Sequence, residues 1–199
     1  MNESIFRAMM QKAEKYYLHC DLQYHNLIHA NRVVSTCYKL REICSGALLL
    51  AAQWHDAVYI PGSKVNEQAS ADLLLHNFKL WATSSMYNTS EERDVINTAM
   101  SLIKSTRVED HMMSYSAGDT ELGTLLDADL VSLADNYITF VETQKRILSE
   151  HGEIKLSHSA KFLKQLKDSR EYIYHTTKGR EMFEDAAQRN IAMLIAENP

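Results

Sequence analysis

Proline and glycine are scarce in this chain, with two and six among 199 residues, and Pro61 and Pro199 leave long stretches free of helix breakers. Apolar residues recur mostly three and four apart, so an all-α fold is expected. Cysteine is scarce as well. Cys20, Cys37 and Cys44 are odd in number and form no Cys-x-x-Cys pair, which argues against a disulfide framework and against a zinc knuckle. All three are read as reduced thiols, with Cys37 and Cys44 seven apart on one helical face in the core. Positive charge is in deficit. A formal net charge of -5 and a pI near 6.0 argue against general attraction to nucleic acid or to an anionic membrane. No apolar run approaches the length that crosses a bilayer, and Met1-Asn2-Glu3-Ser4 lacks the basic start and apolar core of a signal peptide. A cytoplasmic location is expected.

What is there is ordinary for a globular chain: 45% hydrophobic and 24% charged residues. The length suits one domain over 1–199, and no internal repeat divides it. The first helix is predicted over 4–17, with Phe6, Met9, Met10, Ala13, Tyr16 and Tyr17 on its packing face. A second is predicted from 25 or 26 to about 44. His25 and His29 are one turn apart in it and share a face, and Val33 and Cys37 continue that stripe, which turns His29 toward the core. Taken alone, His29 fits a core imidazole bonded to a backbone carbonyl better than it fits a ligand, and it needs company to be one.

The most apolar stretch, Leu48-Leu49-Leu50-Ala51-Ala52-Gln53-Trp54-His55-Asp56-Ala57-Val58-Tyr59, is predicted to be a helix returning antiparallel beside the second. An ionised Asp without a partner is costly there, so a cation, a donor network or a metal should meet Asp56. Adjacent imidazole and carboxylate suit Zn, Mn, Fe or Mg. After Pro61-Gly62-Ser63, Asn66 is the expected N-cap of the next helix. Glu67 stands in its first turn, where the helix dipole alone would favour a carboxylate. Thr89 and Glu92 have capping-box spacing. The longest irregular segment follows Ser105, and in it Arg107 or His111 could face a substrate phosphate or stay solvated. Leu122, Leu125, Leu126, Asp129 and Leu133 share a helical stripe, which puts Asp129 on the apolar face and leaves Asp127 off it. Asp129 thus repeats the anomaly at Asp56. Three further helices are predicted over 136–150, 157–174 and 179–197, and Lys161, Lys164, Lys167, Lys178 and Arg180 form a mildly basic, solvated face.

The ordered set His29, His55-Asp56 and Asp129, on three predicted helices, resembles the HD-domain superfamily of metal-dependent phosphohydrolases. Tyr24-His25-Asn26-Leu27-Ile28-His29, Trp54-His55-Asp56-Ala57-Val58-Tyr59, Asn66-Glu67-Gln68-Ala69-Ser70-Ala71, Leu126-Asp127-Ala128-Asp129-Leu130 and Ala186-Ala187-Gln188-Arg189-Asn190 are similar to a bacterial branch of predicted HD-type phosphohydrolases. Where that branch usually carries an Arg-x-Glu-Tyr element, this chain has Val141-Glu142-Thr143-Gln144-Lys145-Arg146. The resemblance implies an HD-domain-like helical bundle, its metal core at about 20–135 and the helices of 136–199 packed on it. It makes His29, His55, Asp56 and Asp129 the ligands of a divalent ion (Mn, Mg, Fe, Co, Ni or Zn). The extra histidines of binuclear phosphodiesterase relatives are missing, which favours one ion.

The function so implied is metal-dependent hydrolysis of a nucleotide or other small phosphate ester by a metal-activated water. Asp56 would be both ligand and base. Glu67 would act as general acid or base, or hold the water, while His25, Arg107 and His111 would neutralise phosphate charge. The rival reading is a non-catalytic HD-type sensor or scaffold that binds a nucleotide in the same pocket. A homodimer is compatible with either.

Overall fold

Asn2, Asn26, Ser45, Thr89, Thr120 and Asn136 each accept a hydrogen bond from a backbone N–H two or three residues on, and each opens a helix. In order these are α1 Glu3–Tyr17, α2 Leu27–Leu40, α3 Gly46–Trp54, α5 Ser90–Lys104, α6 Glu121–Asp129 and α7 Tyr137–Glu150, with α4 Asn66–Ser85 between α3 and α5. Helix α6 runs directly into a 3-10 turn, Leu130–Ala134. Helix α8 is Leu156–Ser169, and α9, Asp185–Glu197, is entered through Thr177–Gly179 and a π-helical turn, Arg180–Glu184. The structure, a computed structural model, describes residues 2–18, 21–85, 89–107 and 117–199. Every regular element among them is helical, and none of their helices is long and apolar enough to cross a membrane.

Helix α3 is buried from Ala47 to Trp54, as a helix apolar on all sides must be. It packs against α1, α2, α5 and α6. Around it Ile5, Met9, Val33, Leu74, Ile96 and Leu125 close a first core. Leu133, Phe140, Leu163, Tyr174, Ile191 and Leu194 form a second, between α7, α8, α9 and the 3-10 turn. The α6–turn junction joins the two.

Several predicted boundaries move. Helix α2 ends at Leu40, where Arg41 turns extended (φ -139, ψ 126), so Cys44 lies past the helix and half-buried. Cys37 stays in the core, and both thiols are free; Cys20 lies outside the described residues. Asn66 does not cap α4. Its side chain instead accepts from the Ile60 N–H and donates to the Ile60 carbonyl, closing the preceding loop. The helix predicted to reach Tyr174 stops at Ser169, and 170–176 runs as an irregular, partly buried strap.

That strap corrects the reading of Asp127, which is fully buried rather than outside the packed stripe. The strap covers the side of α6 that the stripe of Leu122, Leu125, Leu126 and Asp129 leaves open. The Asp127 carboxylate accepts from the His175 N–H (2.6 Å), the Thr176 N–H (2.8 Å) and the Thr176 hydroxyl (2.6 Å). Burial pushes its pKa up to about 6 against the pull of those three donors. A Cβ at Gly179 would run into the same carboxylate, so the close approach requires glycine there. Asp127→Asn presents an amide N–H to buried donors and should lower the unfolding free energy by about 2–3 kcal/mol, read by chemical denaturation. A loss below roughly 0.5 kcal/mol would mean that the strap does not depend on this carboxylate.

Candidate metal centre

The centre is assembled by the ends of helices. The Asn26 side chain caps α2 by accepting from the N–H groups of Ile28 and His29, which fixes the first turn and His29 in it. His55 is the cap residue at the end of α3. Its Nδ1 lies 2.9 Å from the Ala52 carbonyl oxygen; a carbonyl only accepts, so Nδ1 carries the proton and Nε2 is left for the cluster.

Here the predicted helix over 48–59 is shortened, and the shortening matters. Successive side chains on a helix point roughly 100° apart, so a continuing helix would turn Asp56 away from His55. The chain instead turns after Trp54, with the Ala57 N–H on the Trp54 carbonyl, and both side chains reach one point. Helix α4 holds that turn. The Ser70 hydroxyl bonds the N–H and carbonyl of Val58, one helical turn from Asn66 on Ile60.

At the centre, His29 Nε2 and His55 Nε2 lie 3.2 Å apart. Asp129 Oδ1, at the end of α6, is 3.1 Å from the first and 3.4 Å from the second. Asp56 Oδ2 is 3.0 Å from His55 Nε2 and 3.5 Å from His29 Nε2. Ligand atoms about 2.1 Å from a first-row ion stand roughly 3.0–3.4 Å from one another in octahedral or tetrahedral arrangement. The donor set therefore fits. His29, His55 and Asp129 form a group that could hold a metal ion, and Asp56 Oδ2 stands beside the same two nitrogens.

Electrostatics agree with this chemistry. Burial opposes a charged His29, but its hydrogen bonds to Asp129 and Asp56 prevail and raise its pKa. Burial likewise opposes charge on His55, and the Asp56 carboxylate raises it well above the ordinary imidazole range. Burial would raise the Asp56 carboxyl, yet His55 and His29 hold it far below the usual carboxylate range. The carboxylates favour positive charge on the imidazoles in this arrangement. A divalent ion would bring the same positive charge and take the nitrogen lone pairs in place of protons.

A cleft of about 550 Å³ opens over the centre, and Asp56, Asp129, His25, Tyr59 and Glu67 line it. His25 precedes α2 rather than sharing a helical face with His29. It stacks on Tyr59, the ring centroids 3.6 Å apart, and its Nδ1 lies 2.5 Å from Glu150 Oε2. Glu150 Oε1 accepts the N–H groups of Tyr24 and His25. Burial would raise the Glu150 carboxyl, but the bond from His25 brings it below its ordinary range. Sequence reading missed Glu150, which lies 125 residues from its partner with no local signal. Glu67 is half-buried on the cleft wall. Arg107 is exposed and does not line the cleft, although its neighbour Thr106 does; His111 lies outside the described residues.

No protein-family model matches the chain, and no curated protein matches it. The geometry of the centre carries the functional argument alone. Titration with Mn(II) should show one ion per chain, and at a hundredfold excess over the dissociation constant the ion should raise unfolding stability by about 2.7 kcal/mol. His55→Ala should abolish both the binding and the stabilisation; saturable binding at unchanged strength in that variant would remove His55 from the centre.

Proposed function

We propose that this chain is an HD-type, metal-dependent phosphohydrolase acting on a nucleotide or another small phosphate ester, with one divalent ion held by His29, His55, Asp56 and Asp129. One observation carries the reading. The four donor atoms meet on the floor of an open cleft, where the Asp56 and Asp129 side chains keep 12% and 19% of their exposure. A purely structural site is closed on all sides, whereas a catalytic one keeps room for reactants. A bound divalent ion would supply Lewis-acid polarisation of a phosphoryl oxygen and a lowered pKa for water at neutral pH.

The chain's own groups would do the rest. Asp56 turns Oδ2 to the two imidazoles, which leaves Oδ1 to take a proton from an attacking water. Glu67, in the first turn of α4, can accept or return a proton from the cleft wall. Glu150 holds Nδ1 of His25, and Nε2 makes no hydrogen bond among the described residues. That nitrogen is available to a phosphate oxygen or to the departing oxygen. The stacked Tyr59 ring, itself 3.3 Å from His151 Nε2 through its hydroxyl, keeps the imidazole in plane.

A panel of nucleotides and phosphorylated metabolites assayed with Mn, Mg, Co, Ni and Zn tests the proposal. Metal-stimulated turnover is the expected result; saturable binding without turnover would select the sensor or scaffold instead. Glu67→Gln should lower turnover by roughly a hundredfold with the ion still bound. If it served only the helix dipole, the change would cost at most about 1 kcal/mol of stability and leave turnover intact. Glu150→Gln weakens the grip on His25, and turnover should fall roughly tenfold or more at unchanged metal content. Unchanged turnover there would reduce Glu150 to a tether between helices.

A further inference from the structure

The lining of the cleft falls into two unlike halves by element. Asp56, Glu67, Asp129, Tyr59 and His25 come from the elements around the candidate centre; the 3-10 turn, α7 and α8 supply an arm of Leu133, Ile147, Leu148, Phe162, Leu163 and Leu166, with Gln144 and Ser159 among them. Among the described residues four carboxylates line the cleft (Asp56, Glu67, Asp129 and Glu153), with three imidazoles, His25, His151 and His158. At the rim, His158 Nδ1 is 3.1 Å from Glu153 Oε2, so those two balance each other. Among the described residues no Lys or Arg lines the cleft, and the remaining residues of the chain include neither type.

Both halves restrict the ligand. Recognition of several phosphates at once ordinarily draws on Arg forks or Lys ammonium groups, and among the described residues this cleft offers imidazoles and the candidate ion against four carboxylates. A single phosphate group matches that supply of charge. Sugar hydroxyls set against the leucine wall would lose their water without gaining partners, whereas an apolar group would gain by leaving water. The volume exceeds what a bare phosphate fills and lies in the range of sites that enclose a whole organic ligand. Among the described residues two buried polar side chains, Gln144 and Ser159, stand in the arm. Gln144 lines it at 5% exposure, and its side-chain amide makes no hydrogen bond among the described residues.

We infer that the cleft takes a phosphate monoester with an apolar organic body, aliphatic or aromatic, in preference to a sugar phosphate or a nucleoside triphosphate. As to reaction, this rests on the phosphohydrolase reading: the water oxygen bonds to phosphorus, the ester P–O bond breaks, and the departing oxygen takes a proton to leave as an apolar alcohol beside inorganic phosphate. As to binding, it rests on the cleft alone.

The probes are methylphosphonate and hexylphosphonate, which cannot be hydrolysed at an ester, titrated calorimetrically into the Mn(II)-loaded protein. Each methylene taken into the arm is worth roughly threefold in affinity, so hexylphosphonate should bind at least tenfold more tightly. Equal affinities would overturn the inference. Phe162, 39% exposed at the edge of the arm, can be changed without opening the core. Phe162→Ser should shrink the hexyl preference several-fold with an unchanged unfolding midpoint, and Phe162→Leu should restore most of it; a full preference in Phe162→Ser would count against the arm. Hydrolysis separates the two claims. Hexyl phosphate should exceed glucose 6-phosphate and ATP at least tenfold in kcat/KM. If glucose 6-phosphate or ATP equals it, the apolar preference is overturned while the phosphohydrolase reading stands. If hexylphosphonate binds preferentially and none of the three esters turns over with any of the five metals, the apolar arm stands and the phosphohydrolase reading falls.

Discussion

A carboxylate withdrawn from water must be met by positive charge or by hydrogen-bond donors, and this bundle meets that demand twice within the last turn of α6. Asp127 and Asp129 are two residues apart, so their side chains leave the helix on nearly opposite sides. The first is met by the N–H groups of His175 and Thr176 and the Thr176 hydroxyl, which draws the strap of 170–176 onto the helix. The second is met by the imidazoles of α2 and of the α3 terminus. One short helix thereby fastens the C-terminal third of the chain on one side and completes the candidate centre on the other. A disturbance of the strap would reach Asp129 through two residues of rigid helix.

The legible parts of this molecule were those with a local signature. Scarce proline and glycine, with three-to-four spacing, pointed to helices because that spacing is a property of the helix itself. His29, His55, Asp56 and Asp129 stood out because ionisable ligand types recurred in apolar stretches, and an apolar stretch is visible without knowing its neighbours. Asp127 was misread for a related reason. A stripe analysis assumes one packed face, whereas α6 is covered by α2 on one side and by the strap on the other. Glu150 and the leucine arm had no signature at all, since their roles exist only once α7 and α8 lie across the mouth of the first core. The early stop of α3 was hidden by helix-compatible residues, Ala57-Val58-Tyr59. The Ser70 and Asn66 bonds to Val58 and Ile60 hold the backbone out of helix there.

Position in the fold also explains why His25 is the most interesting group outside the centre. Its backbone and ring are held by Glu150 of α7, its face by Tyr59 of the turn after the Asp56 position, and it lies four residues before His29 on the approach to α2. Arg32 of α2 reaches Asp135 through two bonds of 2.8 and 2.6 Å, a bidentate pair that locks α2 to the start of the α7 segment. The same interface that joins the two cores therefore orients the imidazole at the cleft. A proposed role for His25 in the chemistry would thus depend on the stability of that interface.

The charge of the cleft carries a last consequence under the proposed reading. No fixed Lys or Arg faces a bound phosphate, so the positive charge that meets it would come mainly from the ion, and the carboxylates that hold the ion would repel the phosphate when the ion is absent. Phosphate and ion would then each bind more tightly in the presence of the other, by the same factor, because a coupling free energy between two sites is reciprocal. A site with a built-in Arg clamp would bind its phosphate whether or not metal were present. Under that reading the four side chains that would gather the ion would also set the affinity for the anion, and the selectivity left to the rest of the cleft would fall to its apolar wall.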